Sequence, residues 1–192
     1  MKSIVKNFVI WIVIFQSPFC FSQNSTNIIV VPDPLYSTHH FGLELAATKN
    51  SRLGLMAGYK RDSDRPTYGE SNDNVTNTFS RVLIPWTYSK NGAWEKSFFI
   101  TGLVGLENDR FDSVAGSSAD VTFINLGLLA GYQWFWHNGL NISAMFGRAF
   151  LIENRSDKNI SANESSDVIE YLNKNTKTNN HFAGGIVLGW AF

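Results

Sequence analysis

Acid–base or nucleophilic chemistry in this chain would have to start from His40 or His181, with Ser37 or Ser80 as the hydroxyl. A hydrolase built this way needs the hydroxyl within hydrogen-bond reach of the imidazole and an acid to orient it. No His-x-Ser pair occurs, since the residues two after each histidine are Phe41, Gly42, Gly139 and Ala183. We therefore assign no catalytic residue. Metal chemistry fares no better. Cys20 is the one cysteine, and Asp109, Asp112 and Asp120 do not reach the spacing of a calcium loop. No metal and no cofactor is expected. The remaining chemistry-bearing set is ionic: Glu44, Arg52, Lys60, Arg81 and Glu107.

What must position those residues is legible from the hydrophobic pattern. Lys2 and Lys6 precede the apolar run Phe8–Phe15, Pro18 breaks it, and Cys20-Phe21-Ser22 follows. That order reads as a cleaved export signal over 1–22, with the mature domain at 23–192. The run is too short for a helix to span the roughly 30 Å of a bilayer core. Removing the two lysines leaves 14 basic against 16 acidic residues, a net charge of −2, so nucleic acid is not an expected partner.

Beyond residue 23 no apolar run of about 18 residues recurs, and the pattern has period two, the period of strands. Phe41, Leu43 and Leu45 share one face; so do Leu53, Leu55, Ala57 and Tyr59, and so does the stripe Ile124, Leu126, Leu128, Ala130, Tyr132 and Trp134. Eight strands are expected, at about 26–31, 37–48, 52–61, 76–89, 97–107, 121–135, 140–151 and 180–192. Short turns at 48–51, Lys90–Ala93 and 137–139 alternate with long polar connections at Arg61–Asn74, Asn108–Asp120 and Ile152–Asn179. Asn91-Gly92 and Asn138-Gly139 are hairpin signals, because both positions tolerate positive φ. Within the last connection Val168–Leu172 could form one short helix.

Short turns at one end and long loops at the other are the habit of transmembrane barrels. A soluble barrel also alternates, with its apolar face inward, so alternation alone does not decide. The tryptophans do: Trp86, Trp94, Trp134, Trp136 and Trp190 all fall at the short-turn end, where a membrane-interface girdle would stand, with Tyr36 and Tyr59 near the opposite rim. The opposite face of the strands is rich in glycine, which suits a narrow interior filled by its own side chains. The expected fold is an all-β, eight-stranded antiparallel up-and-down transmembrane β-barrel.

In that barrel Glu44, Arg52, Lys60, Arg81 and Glu107 point inward, and a paired charge network is expected, with Glu44 meeting Arg52 or Arg81. Phe79, Leu83, Phe99, Leu103 and Leu129 also fall inward, either filling the lumen or lining a pocket for a small apolar ligand, unless a bulge swaps their face.

The ending Trp190-Ala191-Phe192, with apolar residues alternating back from it, resembles the C-terminal signal that assembly machinery reads in outer membrane proteins. It departs from that signal where the customary glycine falls on Val187. Size, loop alternation and ending are similar to small OmpA- and OmpX-like barrels, and Asn27–Lys60 with Gly102–Gly147 resembles an uncharacterised family of such barrels. The resemblance implies the outer membrane of a Gram-negative bacterium, with membrane lipid and the barrel assembly machinery as partners. It also implies a non-enzymatic structural or interaction role, with any extracellular ligand met through the long loops. Binding or slow passage of small apolar molecules is the alternative, and an outer-leaflet lipid-modifying hydrolase is the third reading, although the His-x-Ser arrangement of lipid A deacylase barrels is absent.

Overall fold

A computed structural model describes residues 26–33, 38–62 and 75–192. The expected export signal, Tyr36 and Ser37 lie outside the described residues. Eight strands form: β1 (Thr26–Asp33), β2 (Thr38–Ala46), β3 (Ser51–Asp62), β4 (Val75–Ser89), β5 (Ser97–Ser113), β6 (Ser118–Phe135), β7 (Leu140–Asn159) and β8 (Asn179–Ala191). Each pairs antiparallel with the next, and β8 returns to β1, so the chain is one all-β, up-and-down sheet closed into a ring.

The seam between β1 and β8 pairs Asn27 with Ala191, Ile28 with Trp190, Ile29 with Gly189 and Val30 with Leu188. Thr26 N–H donates to the Phe192 carbonyl at 3.3 Å, and Phe192 N–H donates back to Thr26 at 2.9 Å. The turn at Asn138-Gly139 has the expected left-handed glycine, with φ of 88°. A Cβ on Gly139 would also stand 2.2 Å from the Ala191 carbonyl oxygen.

Alternation sorts the two faces. Leu43, Leu55, Ile100, Leu128 and Ile186 are exposed outside, while Ile29, Met56, Leu83 and Val187 form a buried apolar cluster inside, joined by Leu103 and Met145. Phe98, Phe146 and Phe182 are 70%, 74% and 77% exposed, values expected of side chains whose partner is outside the molecule.

The connection expected at Asn108–Asp120 is instead mostly strand. β5 and β6 continue to Ser113 and Ser118 and turn through Val114–Ser117. Part of the expected 152–179 loop is likewise strand, since β7 runs on to Asn159, past a register shift opposite Thr122/Phe123 that leaves Asn154 as a bulge. The reason is an inversion of polarity. In this upper extension the outer positions are polar (Asn108, Arg110, Asp120, Arg155), whereas Phe111, Ala119 and Val121 are buried inside. A search for apolar-outward alternation reads such a segment as a polar loop.

The inward apolar residues are covered by a helix, α1 (Ser166–Asn175), at the place the sequence suggested. Val168 and Leu172, fully buried, pack on Val75, Phe111 and Ala119, with the Tyr171 ring edge-on to Phe111 at 6.0 Å. Ser165 caps the helix by accepting from Val168 N–H. α1 is therefore a cap seated on the inner face of the extension, above the lumen. Its leading end is tied down where Ser161 N–H donates to Ser117 Oγ at 2.9 Å and the Ser113 hydroxyl donates to the Glu164 carboxylate.

Burial pushes the Glu164 carboxyl up, but the hydroxyls of Ser113 and Ser117 and the N–H groups of Ser165 and Ser117 outweigh it and hold it below the usual carboxylate range. A depressed pKa in the closed cap means the tether is fully present above the ordinary carboxylate value and weakens as pH falls through the lowered one. Proteolytic nicking within 160–178 should rise as pH drops below about 4. In Glu164→Gln that pH dependence should vanish, leaving a faster rate that does not change with pH.

Candidate functional site

The lumen is filled in layers, and the lowest is polar. Arg52 on β3 and Glu44 on β2 are 5% and 6% exposed and meet as an ion pair, Nε to Oε1, at 2.9 Å. Arg52 Nη1 also donates to the Ala93 carbonyl at 2.7 Å and to Gln133 Oε1 at 2.6 Å. Gln133 Nε2 returns to the carbonyls of Glu95 (2.6 Å) and Ala93 (3.2 Å), so the β4–β5 connection folds into the lumen mouth as its lower stopper. On the other side, Asn27 Nδ2 donates to Glu44 Oε2 and Asn141 Nδ2 donates to Asn27 Oδ1, both at 2.9 Å. Gly189 stands between these two asparagines; a Cβ there would lie 2.4 Å from Asn141 Oδ1. Each buried charge is thus paired and hydrogen-bonded, the condition under which burial is tolerable.

Above lies the apolar waist, and above that a second ionic layer. Arg81 Nη2 is 2.6 Å and its Nε 2.7 Å from Glu107 Oε2, and Asn125 Nδ2 donates to the same oxygen at 3.1 Å. Phe79 lies under the Arg81 guanidinium at 4.6 Å. Of the five expected inward charges, four form these two pairs, Glu44 choosing Arg52 over Arg81; half-buried Lys60 belongs to neither. Asn27, Asn125, Gln133 and Asn141 complete the layers and were not singled out from sequence. Their signal was only their place on the polar face of each strand.

Leu83, Phe99 and Leu129 are buried in the lumen, with Leu103 and Phe79 partly so, and the register shift at Thr122/Phe123 lies away from all five. The lumen cavity between Ile29, Met56, Phe99 and Met145 and the polar side chains of Glu44, Arg52 and Asn141 is about 30 Å³. That is the volume of about one water molecule, not of a ligand.

The histidines do not converge with Ser80, the one of the two expected hydroxyls among the described residues. His40 is buried inside, its ring lying where a Cβ on Gly58 would be and 6.5 Å edge-on from Phe79. Ser80 faces outward. Half-buried His181 shares the layer of Arg81 and Glu107, whose charges reach it. Among the described residues no three His, Cys, Asp or Glu side chains gather as metal ligands.

Trp86, Trp134, Trp136 and Trp190, with terminal Phe192, are exposed on the outside at the short-turn end. Trp94 departs from that expected girdle. Its ring turns in under Arg52, 5.6 Å from Cζ, and against Phe135 at 5.8 Å, because the β4–β5 connection carrying it is drawn into the lumen by Ala93.

Ring and site together define an all-β closed sheet with a filled, partly ionic interior and an apolar exterior. No family model, curated protein or solved structure matches the chain.

Removing one member of the lower pair leaves its partner charged in a sealed layer. Arg52→Ala should cost about 3–5 kcal/mol, read by urea unfolding. Arg81→Ala should cost less, because the Arg81 side chain is 19% exposed against 6% for Arg52.

Proposed function

We propose that this protein is a non-enzymatic outer membrane β-barrel of a Gram-negative bacterium, acting as a structural or interaction scaffold through its extracellular end. The observation that carries this reading is the pairing of an outer face of exposed Leu, Ile, Val and Phe with an interior that holds two ion pairs, Arg52–Glu44 and Arg81–Glu107. A chain folded for water would place those two sets the other way round. The polarity inversion of the upper extension supports the same arrangement: it marks the level above which the outside meets water. The outward tryptophans supply an interface girdle at the lower rim, and membrane lipid is the partner of the band between.

Trp190 and Phe192 on the closing strand serve as the ending read by the barrel assembly machinery. An interaction role is favoured over passage because both ends of the lumen are stopped, by the Ala93 connection below and by α1 above. What the extracellular end offers a partner is the polar outer surface of the four longest strands and the exposed side of α1, including Glu170 and Lys174.

Two measurements test this reading. The folded protein should need detergent and should shift in gel mobility on boiling. Ile186→Arg, at an outer position 54% exposed, should destabilise it in bilayers by about 2–4 kcal/mol. The same change on a water-facing surface would be within about 0.5 kcal/mol, so a neutral effect together with solubility in plain buffer would overturn the reading. In planar bilayers the protein should remain electrically silent; steady conductance steps would favour passage instead.

A further inference from the structure

The short-turn end of the ring carries its cations on one arc. Among the described residues there, Lys49, Lys90 and Lys96 stand against a single carboxylate, Glu95, and all three belong to the β2–β3 and β4–β5 connections. The turn at 136–139 brings only His137. Each lysine is exposed, and among the described residues no hydrogen bond or ion pair engages the three ammonium groups. The backbone fixes where they stand. Ala93 N–H donates to the Lys49 carbonyl at 2.8 Å, and Asn50 Nδ2 donates to the carbonyls of Ser89 and Lys90, both at 2.9 Å, so the two connections form one piece. Asn91 Nδ2 donates to the Lys96 carbonyl at 2.9 Å, which closes the β4–β5 connection on itself. Since the Ala93 carbonyl also holds Arg52 and Gln133, the lysine arc is anchored to the sealed polar layer.

The same arc carries much of the aromatic girdle. Tyr88 and Phe98 face outward, 48% and 70% exposed, while their neighbours Ser89 and Ser97 are buried inside. Lys90 is two residues beyond Tyr88, and its N–H still bonds the Phe98 carbonyl at 3.1 Å, so alternation carries it onto the outer face. Lys96 is two residues before Phe98. The Phe98 ring stands edge-on to Tyr132 at 4.8 Å, and Tyr132 to Trp134 at 4.9 Å. A molecule that approaches this arc from outside the wall therefore meets an apolar, aromatic surface and, one step nearer the rim, three ammonium groups.

We infer that this arc binds an anionic phospholipid of the leaflet on the short-turn side, its phosphate among Lys49, Lys90 and Lys96 and its acyl chains against Tyr88 and Phe98. The adjacency of the two surfaces selects the occupant. A soluble phosphate or an acidic protein would meet the lysines and leave the rings uncovered. A zwitterionic lipid would cover the rings, but its own cation would offset the attraction. A lipid of net negative charge uses both. Lysine suits the task, since its stem lies along apolar surface while the ammonium reaches the headgroup level. The long-connection end offers no such arc on its outer wall, because Arg110 and Arg155 are taken up by Asp112 and Asp157. The site rests on the membrane reading above, which puts the short-turn end at the periplasmic leaflet, where an outer membrane holds its phospholipids.

The test is native mass spectrometry of the folded protein released from micelles containing equal amounts of phosphatidylglycerol and phosphatidylcholine with the same acyl chains. The wild type should retain phosphatidylglycerol in preference, and the preference should shrink as salt is raised. Lys90→Gln should lower it about fivefold, the scale of one lysine at an anionic surface. The triple variant Lys49→Gln/Lys90→Gln/Lys96→Gln should abolish it. Lys177→Gln makes the same change at an exposed site of the long-connection end and should leave the preference intact. All four positions are exposed, so every variant should keep the boiling-dependent gel shift. Equal retention of the two lipids by the wild type, an undiminished preference in the triple variant, or an equal loss in Lys177→Gln would overturn the site. A protein that shows the gel shift without the lipid preference removes this inference alone; one that dissolves without detergent and shows no shift removes the membrane reading and the site with it.

Discussion

The structure depends on closure at one seam. A strand with no neighbour presents a row of unpaired N–H and C=O groups, which a closed ring alone removes. β1 meets β8 over only four residue pairs, from Asn27–Ala191 to Val30–Leu188, so the ladder there is short. The interior compensates. Asn27 belongs to β1 and Asn141 to β7, yet they bond directly at 2.9 Å beneath β8 because Gly189 leaves the space between them open. Asn27 then passes the connection to Glu44 on β2, and Glu44 to Arg52 on β3. The buried polar layer is therefore a belt tied across the seam as well as lumen filling. Its members come from the first three strands, the sixth and the seventh, which the sequence keeps far apart.

Where sequence reasoning succeeded, two constraints agreed. In β3, Leu53, Leu55, Ala57 and Tyr59 alternate with Arg52, Gly54, Met56 and Gly58, so period and face were both plain, and the bounds of β1–β4 and β8 followed closely. It fell short where the environment changes along a single strand. Phe111, Ala119 and Val121 keep period two but point inward beneath α1, so the apolar residues change sides partway up β5 and β6. A pattern that inverts midway resembles loss of pattern. The bulge at Asn154 hides the upper part of β7 further, because it shifts the parity by one residue.

The same logic sorts the candidate residues. Glu44, Arg52, Arg81 and Glu107 were legible because a charge on the inner face of a narrow ring must find its opposite. Which pairs form was not legible: register places Arg81 directly opposite Glu107, and Arg52 two residues along β3 from Gly54, the partner of Glu44. Trp94 was misread because its class of residue favours an interface, whereas its place is fixed by the neighbouring Ala93 carbonyl, which Arg52 and Gln133 draw inward. Main-chain acceptors carry no sequence signature.

Sealing the lumen at both ends moves the question of function to the outside of the molecule. Interior hydrogen bonds that saturate Arg52, Glu44 and Gln133 leave no polar side chain of that layer to turn toward a passing solute, and opening the layer would expose a paired charge at a cost of several kcal/mol. The cap above is held differently, by two buried aliphatic side chains and a few hydroxyl bonds at the long-connection end. Its contacts are fewer and closer to solvent, which places it at the low-stability end of the fold, where binding elements are drawn from. A rigid ring carrying a weakly held cap and a polar, extended four-strand wall is better arranged to present a surface than to conduct.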